Sequence, residues 1–287
     1  MTDTVHTELQ NANATPQNQN GGGATTIGTP EGLFVMPEMK QEGRFHYIET
    51  GTGPVILLLH GLFGALSNFE HIVRYFSPHY KVVIPMLPIL ELPLREVSLD
   101  NFQKFVHEFV EHKGYERVNV MGNSLGGHIS LLYTLAHPER VQTLTLAGSS
   151  GLFENGFGST FPKRNNYEYI KQRTEFTFYD PATATKELVD EVFSTVNDRG
   201  RALNIVATAK SAIRHNLADK LHLITTPACL VWGKQDEITP PFVGQDFHTG
   251  LVNSELHYLD KCGHAAMMEQ PEAFNAIWAA FLAKHNQ

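Results

Sequence analysis

A strand and a helix meet without a linker in the segment VNVMGNSLGGHISLLY, residues 118–133. The first part is an apolar run of strand length, and from Leu125 onward the apolar residues follow helical spacing. Ser124 occupies the joint, and Gly122 and Gly126 on either side allow other backbone to approach closely. This pattern predicts a sharp strand–turn–helix that holds the Ser124 hydroxyl above one edge of a sheet.

The rest of the chain repeats the alternation of strands and helices. Strands are predicted at 44–49, 55–59, 81–86, 117–121, 141–147, 228–232 and 255–259. Helices are predicted at 67–76, 98–113, 125–137 and 271–284. Such alternation is typical of βαβ units, which build a mostly parallel sheet flanked by helices. The predicted fold class is therefore α/β.

The pattern changes in two places and so divides the chain. Residues 1–30 are rich in Asn, Gln, Thr and Gly, which predicts a disordered polar tail. Between 152 and 217 no strand is predicted, and the pattern indicates three helical segments, at 166–176, 181–196 and 200–215. A helical insertion at this point predicts a cap over the carboxyl ends of the strands, where ligands bind in such sheets. Residues 31–151 and 218–287 are then expected to form the α/β core.

Composition argues against several classes of partner and location. The net charge is -8, whereas phosphate binding needs clustered Lys and Arg, so no nucleic-acid partner is expected. No apolar run approaches the roughly 18 residues of a membrane span, and the N-terminal segment lacks the pattern of a secretory signal. Cys229 and Cys262 fit no metal-binding spacing and are too few for a disulfide framework. We therefore expect a cytoplasmic location and a small-molecule substrate, and leave the oligomeric state open.

A serine hydroxyl is a weak nucleophile until a base removes its proton. Among 15 histidines, His264 is selected because it follows the last predicted strand and lies in the loop that enters the last helix. The carboxylate that would orient this imidazole is predicted to be Asp236, just after the preceding strand, with its neighbour Glu237 as the alternative. The predicted catalytic residues are therefore Ser124, His264 and Asp236, in the roles of nucleophile, base and orienting acid.

Negative charge that develops on a substrate oxygen needs hydrogen-bond donors. The segment HGLFG, residues 60–64, follows a buried strand and forms a turn that can aim backbone N–H groups at the serine. The predicted donors are the N–H groups of Leu62 and Leu125, with Phe63 as the alternative to Leu62. The residues predicted to line the substrate pocket are Phe63, Asn123, Ser149 and Met267.

Four segments of the chain stand in a characteristic order: HGLFG, GNSLGG, LVWGKQDEITP and CGHAAMMEQPE. On these segments the chain resembles the α/β-hydrolase superfamily, over about residues 45–285. With its helical insertion it resembles the capped small-molecule hydrolases, which include carboxylesterases and carbon–carbon bond hydrolases of aromatic degradation. The resemblance implies an α/β-hydrolase fold with an inserted helical cap. It also implies acyl transfer to Ser124 and hydrolysis of the acyl-enzyme, without a metal or organic cofactor.

Two departures from the superfamily pattern bear on the substrate. Residues 85–94 are apolar and rich in proline where many members are polar, which predicts an apolar wall of the site. Ala265 and Ala266 follow His264, where carbon–carbon hydrolases commonly carry tryptophan. Both departures favour a serine esterase that cleaves a small, largely apolar ester.

Two alternatives to the esterase are open. Carbon–carbon hydrolysis of a vinylogous diketone would use the same three catalytic side chains and a cation for the substrate acid. Lys163, Arg164 and Arg173 of the insertion are candidates, although we favour solvated surface positions for them. The second alternative is a hydrolase-like protein that binds a ligand and turns it over slowly.

Overall fold

The computed structural model describes residues 26–27, 34–64, 66–153 and 163–286. Within the first 35 residues, β1 (Thr26–Ile27) and β2 (Phe34–Val35) pair as antiparallel strands. The prediction of a disordered tail over 1–30 therefore falls outside the described residues, except at Thr26 and Ile27, which are in a strand.

The residues from 36 onward are built around an eight-stranded sheet. Its strands are β3 (Lys40–Glu42), β4 (Phe45–Thr50), β5 (Val55–Leu59), β6 (Lys81–Pro85), β7 (Val118–Asn123), β8 (Val141–Ala147), β9 (Ala228–Gly233) and β10 (Ser254–Leu259). They lie in the order β10-β9-β8-β7-β5-β6-β4-β3. Strands β5 to β10 run parallel to one another, whereas β4 runs antiparallel to β6 and to β3. The predicted, mostly parallel α/β sheet is confirmed.

Helices flank this sheet. They are α1 (Glu70–Phe76), α2 (Leu99–His112), α3 (Leu125–Ala136), α4 (Tyr167–Glu175), α5 (Lys186–Asn197), α6 (Arg199–Arg214), α7 (Pro241–Gly250), α8 (Ala266–Glu269) and α9 (Pro271–His285). All six residues of β7 and all six of β9 are buried, so side chains on both faces of these central strands are covered. No helix among the described residues combines the length and apolar character needed to cross a bilayer.

Among the strands and α-helices described from residue 36 onward, three were not predicted from the sequence. Strand β3 is short, and all three of its residues are exposed, so it has no apolar pattern to detect. Helix α7 contains glycine and few apolar residues, and α8 is a single turn. The predicted helix at 181–196 begins later, because Pro181–Thr183 forms a separate 3₁₀ turn. The side chain of Thr185 then caps α5 by accepting a hydrogen bond from the N–H of Leu188.

The segment between β8 and β9 contains α4, α5 and α6, and no strand among its described residues. These helices have a small apolar cluster of their own, formed by Ile170, Val192, Val196 and Ile205. Leu62 and Phe63, from the turn after β5, pack against this cluster. The insertion therefore rests on the turn that was predicted to supply an oxyanion donor, and we propose that it acts as the cap of the site.

Candidate active site

Ser124 lies between β7 and α3 with φ 54° and ψ -121°. A positive φ is uncommon for any residue except glycine and costs of order 1–3 kcal/mol. Backbone hydrogen bonds hold this conformation: the Ser124 N–H donates to the Ala147 carbonyl at 3.2 Å. The Ser124 carbonyl accepts from the N–H groups of Gly127 at 3.0 Å and Ser150 at 3.2 Å. The sharp turn predicted at the strand–helix joint is thus present, and these three backbone hydrogen bonds hold it in place.

The glycines beside the serine allow an unusually close approach of backbone. A Cβ atom on Gly126 would lie 2.0 Å from the carbonyl oxygen of Leu59, at the end of β5. A Cβ on Gly122 would lie 2.3 Å from the carbonyl of Gly126. Neither position admits a side chain, because the obstructing atoms are backbone. The start of α3 is therefore seated directly against the sheet.

Asp236 and His264 form a buried pair. The His264 Nδ1–H donates to Asp236 Oδ2 at 2.9 Å, and both side chains are almost fully excluded from solvent. The N–H groups of Ile238 and Thr239 donate to Asp236 Oδ1 at 2.8 and 2.9 Å, and the Thr239 hydroxyl donates to Oδ2 at 2.9 Å. These donors hold the carboxyl group in one orientation, in which it can fix the imidazole tautomer. The neighbouring Glu237 is exposed and does not take this place.

The three predicted catalytic residues follow β7, β9 and β10, whose carboxyl ends share one edge of the sheet. Ser124 and His264 line the same pocket. The Nε2 atom of His264, which would accept the serine proton, is buried and has no hydrogen-bond partner among the described residues. The serine is therefore not hydrogen-bonded to this nitrogen here, a contact that often forms only when substrate binds.

The turn after β5 lies beside the serine, because a Cβ on Gly61 would be 3.4 Å from the Ser124 Cβ. Among the described residues, the N–H groups of Leu62 and Leu125 make no hydrogen bond. Leu125 is also the first residue of α3, where a helix presents free N–H groups. The assignment of these two groups as oxyanion donors stays a prediction, and their free N–H groups are compatible with it.

The side chain of His60 holds this turn in place. Its Nδ1–H donates to the Gly61 carbonyl at 2.9 Å, and its Nε2 accepts from the N–H of Leu87 at 3.0 Å. Burial lowers the pKa of His60, which suits a neutral ring that donates on one side and accepts on the other. The apolar segment 85–94 does not line the pocket, contrary to expectation. Through Leu87 it instead anchors the turn.

The pocket above Ser124 has a core side and a cap side. The core side includes the turn at 61–64 with Asn68, Asn123, Ile238, Ala265 and Met268. The cap side is formed by Arg173, Thr174, Thr177, Phe178, Leu188 and Val192. Phe63 and Asn123 line the pocket, as predicted.

Ser149 and Met267 do not line this pocket and are corrections to the predicted set. Ser149 is buried at the end of β8, where its hydroxyl donates to the Ser150 carbonyl at 2.8 Å. Met267 is buried in the core, and its neighbour Met268 faces the pocket instead. In a single-turn helix, adjacent side chains point in different directions, and the sequence does not reveal which one is turned inward.

The structure corrects the solvated surface position that the sequence favoured for Arg173. Arg173 lines the pocket, whereas Lys163 and Arg164 are exposed. Its Nε atom is buried and has no partner among the described residues, and its guanidinium lies 5.3 Å from the centre of the Phe176 ring. The Oδ1 atom of Asn68, which also lines the pocket, is likewise buried without a partner. The sequence gives a weak indication that Arg173 lies at the pocket, because it is a cationic residue in the first predicted helix of the insertion.

Comparison with known proteins supports the same fold. A family described by its alpha/beta hydrolase fold matches residues 54–174. The chain is 44% identical to MGS-MChE2, an alpha/beta hydrolase enzyme from the metagenome of sediments of the lagoon of Mar Chica, Morocco. That match covers 87% of this chain and 100% of the other, with a TM-score of 0.73. The chain belongs to the α/β-hydrolase superfamily, and the predicted resemblance is confirmed.

Curated relatives of lower identity have more specific names. The chain is 28% identical to a 2-hydroxy-6-oxononadienedioate/2-hydroxy-6-oxononatrienedioate hydrolase of Paraburkholderia phymatum, over 85% of this chain and 92% of the relative. It is 25% identical to a 2-hydroxy-6-oxo-6-phenylhexa-2,4-dienoate hydrolase of Comamonas testosteroni, over 83% of this chain and 90% of the relative. The protein is therefore an α/β-fold hydrolase.

Proposed function

We propose that this protein hydrolyses a carbon–carbon bond in a small vinylogous diketone that carries a carboxylate. The observation that carries the proposal is the charge of the pocket. Arg173 lines it and has an unpaired buried Nε, and no Asp or Glu is found among the described lining residues. A buried polar atom without a partner costs about 1–3 kcal/mol, so an anionic ligand that pairs with Arg173 is favoured.

The names of the relatives support the same substrate class. The proteins of Paraburkholderia phymatum and Comamonas testosteroni are named as hydrolases of 2-hydroxy-6-oxo dienoic acids. Such acids combine a carboxylate with a ketone and a hydroxyl group on a conjugated chain. In this pocket the carboxylate would pair with Arg173 and a hydroxyl would donate to Asn68 Oδ1, leaving the ketone near Ser124. This assignment replaces the esterase as the preferred function.

The reaction follows from the positions of the side chains. His264 accepts the Ser124 proton at Nε2 while Asp236 stabilises the imidazolium through Nδ1. The serine oxygen attacks the ketone carbon, and the N–H groups of Leu62 and Leu125 stabilise the resulting oxyanion. Before this cleavage the 2-hydroxy dienoate ketonises: the hydroxyl loses its proton, and a proton adds to the carbon next to the ketone. Collapse of the adduct then breaks the bond between that carbon and the ketone carbon, and the electron pair passes through the remaining double bond into the new carbonyl group. Water activated by His264 then hydrolyses the acyl-enzyme.

Ester hydrolysis is the second candidate, because the same groups would carry it out. It is favoured by the apolar part of the lining, which includes Leu62, Leu188, Val192 and Ile238. Ala265, directly after the predicted base, also lines the pocket and offers no aromatic ring to a conjugated substrate. An ester with a short apolar acyl group would be accommodated by these surfaces.

The test compares the two substrate classes on the wild-type protein and on Ser124→Ala. The yellow ring-fission product 2-hydroxy-6-oxo-6-phenylhexa-2,4-dienoate is followed by loss of its colour, and p-nitrophenyl butyrate by release of nitrophenolate. We expect a higher kcat/KM for the dienoate, and a loss of about 10³-fold or more for both substrates in the variant.

Three other outcomes would change the proposal. A higher kcat/KM for the ester would restore the esterase as the preferred function. A folded Ser124→Ala variant with wild-type rates would remove the serine mechanism altogether. Failure of a fluorophosphonate probe to label Ser124 in the folded wild type would favour the slow-turnover binding protein.

A further inference from the structure

The carboxylate of Glu269, the last residue of α8, joins two segments that are distant in sequence. Its Oε2 accepts a hydrogen bond from the N–H of Tyr179 at 2.7 Å. Its Oε1 accepts one from the N–H of Gly263 at 2.9 Å. Tyr179 belongs to the insertion, just after α4, and Gly263 directly precedes the predicted base His264. One half-buried carboxylate therefore bridges the cap and the loop of the base.

A direct backbone contact accompanies this bridge. The N–H of His264 donates to the carbonyl of Thr177 at 2.9 Å. Thr177 and Phe178 also line the pocket. This short segment of the cap thus lines the pocket on one side and is hydrogen-bonded to the backbone of His264 on the other.

The packing between the two segments leaves no room for adjustment. A Cβ atom on Gly263 would lie 2.8 Å from the Thr177 carbonyl oxygen and 2.8 Å from the Tyr179 nitrogen. Both distances are shorter than real Cβ contacts, and the obstructing atoms are backbone. The absence of a side chain at Gly263 is therefore what allows the cap segment to reach the carboxylate and the base.

We propose that Glu269 is a positioning residue, whose carboxylate locks residues 177–179 of the cap to the loop of His264 so that the pocket wall and the imidazole keep one arrangement. The inference rests on the proposed function insofar as His264 acts as the base. Without the carboxylate, the N–H groups of Tyr179 and Gly263 lose their acceptor. Among the described residues, the backbone hydrogen bond from His264 to Thr177 would then remain between the loop and the cap. A shift of about 1 Å in a catalytic group can cost 10²-fold in rate.

The experiment compares Glu269→Ala and Glu269→Gln with the control Glu272→Ala, a change of the same type at an exposed position on the first turn of α9. We expect Glu269→Ala to lower kcat on p-nitrophenyl butyrate by about 10- to 100-fold, with KM changed by less than about threefold. The glutamine variant should fall between, because its amide keeps one acceptor oxygen but turns an N–H group towards the second donor. Glu272→Ala should match the wild type.

A second measurement separates positioning from general stability and does not need turnover. The proton shared between His264 Nδ1 and Asp236 gives a downfield proton NMR signal when the pair is aligned. We expect this signal to shift or broaden in both Glu269 variants while thermal unfolding remains cooperative.

A folded Glu269→Ala with wild-type kcat, or with an unchanged signal, would overturn the inference. If the alanine variant does not fold, the glutamine variant decides by the same two criteria. If the wild type turns over neither the ester nor the dienoate, the proposed function fails, and the NMR signal still tests the role of Glu269.

Discussion

The core side and the cap side of the pocket are built in different ways. On the core side, the polar side chains are held by several hydrogen bonds each. Asn123 donates to the carbonyls of Ala147 and His264. Asp236 accepts three hydrogen bonds besides that from His264. On the cap side, Arg173 approaches the pocket with an unpaired Nε, and its neighbours there are mainly apolar. On the proposed function, this difference would let the core position the reacting groups while a few cap side chains select the substrate.

The largest effect is expected from a change on the core side. Asp236→Asn would replace the acceptor for the His264 Nδ1–H with an amide and favour the wrong imidazole tautomer. We expect kcat to fall by about 10³- to 10⁴-fold with little change in KM. Glu237→Gln is the matched control, because Glu237 is adjacent and exposed, and it should retain wild-type kcat. Equal losses in the two variants would contradict the assignment of the orienting acid.

A smaller and more selective effect is expected on the cap side. Arg173→Gln removes the cation from the pocket and should lower kcat/KM for the dienoate by about 10- to 100-fold, the worth of a hydrogen bond to a charged group. The neutral ester p-nitrophenyl butyrate should be hydrolysed within about twofold of the wild-type rate. Arg164→Gln, an exposed cap variant, is the control. Equal losses on both substrates would show that Arg173 supports the fold and does not select the anion.

The smallest effect on activity is expected from a change of His128, a buried histidine that joins the core to the cap. Its expected effect is on stability. His128 of α3 donates from Nε2 to the carbonyl of His215, at the end of α6, at 2.8 Å. Burial lowers the pKa of His128 to about 4, so the folded protein disfavours the charged ring. Stability from this residue is present above the unfolded pKa of about 6.5 and is lost as pH falls towards 4.

The corresponding measurement is urea unfolding at pH 7.5 and pH 5.0. We expect His128 to lower the free energy of unfolding by about 2 kcal/mol as the pH falls from 7.5 to 5.0, since each unit of pKa shift corresponds to about 1.4 kcal/mol. His128→Gln should reduce this pH dependence, whereas the exposed control His79→Gln should keep it. The same loss in wild type and His128→Gln would assign the acid sensitivity to other groups.

The sequence was most informative where backbone geometry and chemistry coincide. The position of Ser124 could be predicted because its turn needs the small residues that flank it. Asp236 and His264 could be predicted because each directly follows an apolar segment of strand length. Pocket residues were harder to predict. Arg173 lies on a helix whose direction depends on how the cap packs, and Asn68 lies in a 3₁₀ turn with no distinctive pattern. Glu269 was not recognised because its partners are backbone N–H groups, which the sequence does not distinguish.

The close seating of α3 against β5 at Gly126 has a consequence for inhibitor binding. We expect this seating to hold the two proposed oxyanion donors, which come from distant parts of the chain, in one arrangement before any ligand binds. Boronic acids and other mimics of a tetrahedral adduct therefore need no slow rearrangement of the core after they reach the serine. Their association rate would be set by how quickly the cap admits them.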